Sequence, residues 1–346
     1  MSIPQTQSVV VVRETGGPEV LRYESDWKTP IELKATEVLI KNKYVGVNFI
    51  DNYFRSGLFP THLPKILGQE ASGHIAAKGA GIPDSVFKIG DPVGYMAGDT
   101  MAQYTRVDTS ANHNIIKLQL PPEDAKSDKE LQQVAAGLAS GLTGLTFTEE
   151  AFPIKENQYV VVWAAAGGAG LIFDQVCSKL GKAHVIAIAS TNKKLEIAKN
   201  NGAEYGFLEK DHDLIEKIKK ITGSNNGADV VFDGVGRATF KTSLELLKPY
   251  GTLVSFGNAS GPAPKHTEAN ATISHKHLKI INPVVFQYLS NPEKFKYYSK
   301  KLVSLIENGE LKVNIFNIYE LSNVQQAVKD LESRMTYGKL LLKVPS

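Results

Sequence analysis

The stretch Tyr159-Val-Val-Val-Trp-Ala-Ala-Ala-Gly-Gly-Ala-Gly170, followed by Leu171-Ile-Phe-Asp-Gln-Val-Cys-Ser-Lys-Leu-Gly181, constrains this chain more than any other. A continuous apolar run of strand type meets a cluster of small residues and then a helical run. The pattern predicts a buried strand, a tight turn and a helix, the first half of a βαβ unit. The spacing is G-x-G-x-x-G with alanine in the first slot: Ala165, Gly167, Gly170. Gly167 would let the backbone approach a pyrophosphate, and Gly170 would let the helix pack close to the strand. The helix N-terminus would then turn its free amide donors toward phosphate charge. His184-Val-Ile-Ala-Ile-Ala189 supplies the second strand where such a unit needs one.

The alternation continues downstream. Helix Asn192 to Asn201 precedes strand Tyr205 to Leu208, and helix Leu214 to Thr222 precedes strand Ala228 to Phe232. A helix around Thr239 to Leu247 leads to strand Thr252 to Phe256, and the apolar run Leu278 to Phe286 reads as a last strand. Alternation of this kind predicts a doubly wound parallel sheet with right-handed crossovers, a Rossmann arrangement. The first third reads differently. Short β-type runs at Ser8 to Arg13, Val38 to Tyr44, Gly73 to Ala77 and Asp91 to Tyr95 predict a compact, largely antiparallel β-rich domain. The polar segment from Pro121 reads as a loop leading into a helix near Leu131. Helix Pro292 to Asn308 and strand Gly338 to Val344 are expected to return to the first domain. A chain of 346 residues accommodates two domains. We expect residues 1–138 and 288–346 to form the β-rich domain and residues 139–287 the nucleotide-binding domain.

Composition excludes several classes. The formal net charge of +3 is spread along the chain and does not demand a nucleic-acid partner. Cys177, the single cysteine, permits no disulfide within the chain and fits a reducing compartment. It reads as a small buried hydrophobe. The N-terminus lacks the basic flank and apolar stretch of a signal peptide, and Tyr159 to Phe173 is too short to span a bilayer. No membrane association is expected, and the localisation expected is cytoplasmic.

Where the second strand ends, Ala189-Ser190-Thr191-Asn192-Lys193-Lys194 carries no acid. A site for NAD usually places Asp or Glu here to receive the ribose 2′-hydroxyl. Ser190 and Thr191 with Lys194 suit a 2′-phosphate instead, so NADPH is the expected cofactor; Lys193 is a second, weaker candidate. The strand-ending turns around Val235 and Gly236, and Phe256-Gly-Asn-Ala-Ser260, border the cofactor crevice of such a sheet.

Together these residues identify a family likeness. The chain resembles the medium-chain dehydrogenase/reductase superfamily, and within it the zinc-free quinone oxidoreductases of the zeta-crystallin type. The likeness covers nearly the whole chain. It is carried by Val45-Gly-Val-Asn-Phe-Ile-Asp-Asn-Tyr53, Arg55-Ser-Gly-Leu-Phe-Pro60, Leu67-Gly-Gln-Glu-Ala-Ser-Gly73 and Gly141-Leu-Thr143. It continues in Ala164-Ala-Ala-Gly-Gly-Ala-Gly170, Phe256 to Gly261 and Glu332-Ser-Arg-Met-Thr-Tyr-Gly-Lys339. The resemblance implies a GroES-like β-rich catalytic domain beside the Rossmann domain, with substrate bound in a cleft between them. It implies cofactor contacts from Asn48, Thr143, Ala166, Gly167, Gly168, Ala169, Gly170, Gly257, Asn258, Ser260 and Lys339. Arg334 is either part of that tail site or a surface charge. Asn48 and Tyr53 would face the substrate and could hydrogen-bond a quinone oxygen. Phe59 stands where relatives often carry a second tyrosine. Relatives carry Arg at the position of Asn282 and Tyr near Glu209.

Zinc-dependent members of the superfamily carry Cys at the position of Asn48 and His at that of Gln69, and many add a four-cysteine lobe. One cysteine cannot supply those ligands, so no metal is expected. His275 and His277 are spaced like ligands but lack companions. The expected activity is transfer of hydride or electrons from NADPH to a bound quinone, with one- and two-electron routes both open. The protein would contribute proximity, orientation and a dry site. The alternatives are an NADPH-dependent reductase of 2-alkenals and enones and, as a secondary role, binding of AU-rich RNA. A homodimer is expected from the resemblance, paired through Leu278 to Phe286.

Overall fold

The computed structural model describes residues 3–110, 114–120, 125–223, 226–265 and 269–346. Of the loop expected from Pro121 to Glu130, residues 121–124 lie outside the described residues, and the rest is already helical from Ala125. The chain divides into two compact units. One comprises Met1–Ala139, Leu289–Glu307 and Val313–Ser346, and the other Ser140–Tyr288 and Asn308–Lys312.

Along the first unit run β1 (Thr6–Val12), β2 (Arg22–Lys28), β3 (Glu37–Val47), α1 (Phe49–Arg55), β4 (Lys65–Ile66), β5 (Glu70–Lys78), β6 (Pro92–Met96), β7 (Tyr104–Asp108) and β8 (Ile115–Lys117). The long helix α2 (Ala125–Thr146) then enters the second unit. That unit contains β9 (Tyr159–Trp163), α3 (Gly168–Gln175), β10 (His184–Ala189), α4 (Asn192–Asn200), β11 (Tyr205–Leu208), α5 (Leu214–Thr222), β12 (Ala228–Asp233), α6 (Phe240–Leu246), β13 (Leu247–Ser255), α7 (Asn270–Lys276), β14 (Lys279–Ile281) and α8 (Val285–Leu289). The chain then completes the first unit with α9 (Pro292–Glu307), β15 (Ile315–Glu320), α10 (Val324–Glu332) and β16 (Lys339–Lys343).

The first unit is built around β3. Its valine, isoleucine and leucine side chains are buried, and Val38, Ile40, Val45 and Val47 share a core with Val10, Ile75, Val93, Tyr95, Leu340 and Leu342. It pairs antiparallel with β5, β7 and β16. Strand β16 lies inside the seven-stranded sheet, between β15 and β3. Its register sets Leu340 opposite Val47, so the next residues out, Lys339 and Asn48, become neighbours. Strand β15 and helix α10 were not anticipated. The apolar positions Val324, Ala327, Val328 and Leu331 did carry the helical spacing.

The second unit has one parallel sheet, in the order β11-β10-β9-β12-β13-β14. The chain starts at the central β9, steps outward on one side, then crosses to the other. The topological switch therefore lies beside β9, where open α/β sheets take their ligands at the carboxyl ends of the strands. Alternate residues bury on opposite faces: Val160, Val162 and Phe232 on one, Val161, Trp163 and Val231 on the other. Burial on both faces explains why these strands read as unbroken apolar runs.

The expected strand Leu278 to Phe286 requires correction. Only Lys279–Ile281 pairs with β13, and the chain is helical from Val285. The next residue, Asn282, hydrogen-bonds Ser255 O through its side chain, at 3.1 Å. Pro283 has no N–H to continue a ladder, so the run ends there despite its hydrophobicity.

Candidate active site

In the second unit the site begins where β9 ends. Ala164 takes a left-handed backbone with φ 48°, and its carbonyl accepts the Gly167 N–H at 2.7 Å. Gly167 caps α3 and brings no side chain to the first-turn amides. A Cβ on Gly170 would lie 2.5 Å from the carbonyl oxygens of both Ala164 and Ala165, so only glycine permits this approach of helix to strand. Ala166 is buried, while Gly168 and Ala169 open the helix half-exposed. The amides of this first turn and the positive end of the helix favour an anion.

One strand over, β10 runs into Ser190 and Thr191. Thr191 caps α4, its hydroxyl accepting Lys194 N–H at 3.3 Å. Lys194 stands half-exposed in the first helical turn. No carboxylate occurs between Ala189 and Lys194. Glu209 follows the neighbouring β11, with its N–H bonded to Ala189 O at 3.0 Å.

The turns after β12 and β13 are locked together, and a residue the sequence reading passed over holds one of them. Asp233 is buried, and its carboxylate accepts Val235 N–H at 2.8 Å and Gly236 N–H at 3.1 Å. Its other oxygen accepts the hydroxyls of Thr239 and Ser243, both at 2.7 Å. Gly236 sits at φ 92°, and a Cβ there would come within 2.5 Å of Gly261 O. Ser260 closes the pair: its N–H and its hydroxyl each donate to Val235 O at 2.8 Å. Gly257 and Asn258 are half-buried in the second turn, and the Phe256 ring packs on Phe147 and Phe173. Thr143 is half-exposed near the end of α2.

In the first unit Asn48 precedes α1, and its N–H bonds Asp51 Oδ2 at 3.0 Å. Its side-chain amide is completely oriented. Lys339 Nζ, a pure donor, lies 2.6 Å from Oδ1, while Nδ2 donates to Glu70 Oε1 at 2.8 Å and to Gly46 O at 3.3 Å. Both donors of the amide are therefore engaged inside the protein. Lys339 also donates to Glu70 Oε1 at 2.8 Å and Val47 O at 3.3 Å, which occupies all three of its hydrogens. Glu70 is fully buried, and its Oε2 accepts Ala139 N–H at 2.6 Å. Asp51 is buried too, with Oδ1 accepting Gly68 N–H at 3.0 Å; burial pushes its carboxyl up to about 7. Tyr53 is half-buried on α1, with the Phe59 ring edge-on at 5.2 Å. Arg334, at φ 62°, is exposed.

The structure thus gathers Asn48 with Lys339, Tyr53 with Phe59, and Val235 and Gly236 with Ser260. Sequence reading missed Glu70, Asp51 and Asp233. Glu70 and Asp51 lay inside the family-like motifs and Asp233 directly after a strand, and an acid among small and apolar residues was the available signal.

The region matching the family described as "Alcohol dehydrogenase GroES-like domain" spans residues 34–118, and that described as "Zinc-binding dehydrogenase" spans residues 168–304. These two modules in this order define the medium-chain dehydrogenase/reductase superfamily. A probable quinone oxidoreductase of Schizosaccharomyces pombe is 39% identical over 335 residues, covering 96% of each chain. Quinone oxidoreductase 1 of Escherichia coli is 37% identical, covering 94% of this chain and 96% of its own. The crystal structure of the Escherichia coli quinone oxidoreductase complexed with NADPH superposes with a TM-score of 0.87 at 33% identity, over 97% of this chain and 99% of that one. The chain belongs to the quinone oxidoreductase family.

One module name raises zinc, and the residues here do not fit it. Asn48 and Gln69 offer carboxamides where thiolate and imidazole would be needed. The Lys339 ammonium already stands beside Asn48 and Glu70 as their cation. His275 falls in the last turn of α7, and His277, which ends that helix, stacks on Tyr250 at 5.2 Å. Among the described residues no three ligand-type side chains come together. Nor is any helix among them long and apolar enough to cross a membrane.

Proposed function

We infer that the chain is an NADPH:quinone oxidoreductase that works without a metal ion. The observation that carries this is the pair of strand ends at β9 and β10. One is a glycine turn whose helix start carries no side-chain cap and which leaves no room for a side chain at position 170. The other lacks the carboxylate that a 2′-hydroxyl would call for. Kinship to a quinone oxidoreductase crystallised with NADPH supports the same reading.

In this reading the amides of Gly167 to Gly170 hold the pyrophosphate, with Ala166 beside them. Ser190, Thr191 and Lys194 take the 2′-phosphate. Thr143 and the interlocked turns at Val235 to Gly236 and Phe256 to Ser260 line the nicotinamide end. NADPH supplies the reducing equivalents. The protein's own part is to bind, orient and exclude water, since a quinone is already electron-poor and needs little polarisation. The Tyr53 hydroxyl donates a hydrogen bond to a quinone oxygen, and Phe59 packs against its ring. Asn48, with both amide donors engaged, supports that wall rather than donating to the substrate.

A second reading, reduction of activated alkenes, has one supporting observation. A 2-haloacrylate reductase of a Burkholderia species is 29% identical over 342 residues. Steady-state kcat/KM over a panel of quinones and 2-alkenals, with NADPH and NADH, tests both. Quinones should lead by at least about tenfold, and a lead for alkenals would replace the first reading with the second.

Two further proposals accompany this one. The edge strand β14 is short and half-exposed, and it offers a ladder for a second copy to form a homodimer. The single buried thiol Cys177 suits a cytoplasmic enzyme.

A further inference from the structure

We propose that Glu70 and Lys339 are positioning residues for Tyr53, acting through Asn48 and the start of helix α1. This rests on the reading of Tyr53 as the group that hydrogen-bonds the quinone. The chain of contacts is short and lies within the first unit. Glu70 accepts three hydrogen bonds, from Asn48 Nδ2, Lys339 Nζ and Ala139 N–H. Lys339 grips the other end of the same amide. Asn48 is therefore clamped between an anion and a cation, and its N–H is fixed by Asp51, in the first turn of α1. Tyr53 lies on that seven-residue helix, five positions beyond Asn48. So short a helix has little stiffness of its own, and its direction is set by what holds its ends.

The clamp is an ion pair nearly closed to water, with the side chains of Lys339 and Glu70 at 7% and 0% exposure. Replacing such a pair by apolar residues often costs a protein nothing in stability, whereas removing one partner costs much. Geometric definition of a functional group is a reason for this one to be present. Placement of a hydrogen-bonding group to within about half an ångström needs supporting contacts of this kind.

Glu70→Gln sets up the test. The glutamine side chain offers one oxygen to three donors, so at least one donor must face its amide hydrogens. In the otherwise unchanged enzyme, Glu70→Gln should lower kcat/KM for quinone by roughly three- to tenfold, up to the full contribution of the hydrogen bond it positions. The affinity for NADPH, measured by quenching of protein fluorescence, should stay within about threefold, because Glu70 carries no donor and the three Lys339 hydrogens are engaged inside the protein. The decisive comparison repeats Glu70→Gln in a Tyr53→Phe background. With the hydroxyl gone there is nothing left to position, and the further loss should shrink to less than about 1.5-fold.

Equal losses in both backgrounds would overturn the positioning role and leave the Tyr53 assignment standing. A Tyr53→Phe enzyme with unchanged quinone kinetics would instead remove the Tyr53 assignment, and this proposal with it. Should Glu70→Gln not fold, Lys339→Met enters the same cycle. Weakening of NADPH by more than about tenfold in Lys339→Met would mark that lysine as a cofactor ligand and also refute the proposal.

Discussion

Asp174 sits at 0% exposure on α3, and neither carboxylate oxygen has a hydrogen-bond partner among the described residues. Burial holds its carboxyl well above the usual aspartate range, so the fold favours the protonated form. The unfolded chain ionises the same group near pH ~3.9. Between that value and the raised folded value the native state binds the extra proton, so stability falls as pH rises, by about 1.4 kcal/mol per unit. Asp174→Asn keeps the shape and removes the ionisation. Near pH 4 the variant should match the parent, since both bury a neutral, unpartnered group. From pH 5 upward the difference should grow in favour of Asn, by up to about 1.4 kcal/mol per pH unit while the folded carboxyl stays protonated. Urea unfolding followed by tryptophan fluorescence can measure this. Trp27 and Trp163 are the two tryptophans, and a Trp27→Phe background leaves Trp163, in the same unit as Asp174, as the reporter. A stability difference that does not change across this range would show that Asp174 ionises in the fold, and would refute the argument.

Gly170→Ala would press a methyl group to 2.5 Å from two backbone carbonyls. It should cost about 1–3 kcal/mol of stability and weaken NADPH; a variant with the parent's melting temperature and affinity would contradict the cradle. Lys194→Ala should weaken NADPH by roughly ten- to a hundredfold and NADH little, with the effect shrinking in high salt because the lysine is half-exposed. Equal weakening of both cofactors would exclude it as the 2′-phosphate ligand. Protein purified without added metal should carry no stoichiometric zinc by elemental analysis, and activity lost to a chelator and restored by zinc would overturn the reading of Asn48 and Gln69.

The parallel sheet was legible because its strands are buried on both faces and each crossover helix is local in sequence. The glycine turn was legible because crowding at Gly170 admits one residue type. The same cue misled at Leu278 to Phe286, where an apolar run continued past the point at which Pro283 ends backbone pairing. The Glu70–Lys339 pair was illegible for a different reason. Its partners are 269 positions apart, and only the register of β16 against β3 brings them together. Asp233 was readable as a strand end, but its grip on Thr239 and Ser243 depends on the fold of the turn it organises. Local periodicity reports which face of an element is buried, whereas the acids that order this site are fixed by long-range register.

The interior place of β16 also orders events during synthesis. Every strand of the sheet in the second unit lies between residues 159 and 281, so that sheet can assemble while translation continues. The larger sheet of the first unit cannot. Strand β3 is made early, yet one of its partners is residues 339–343, which emerge roughly 15–60 s later at ordinary elongation rates. Until then Val45 and Val47 present an open strand edge to the cell. The newborn chain therefore passes through a long interval with one edge of its central strand unpaired along Tyr44 to Val47, and a late-emerging stretch both seals that edge and delivers Lys339 to Asn48.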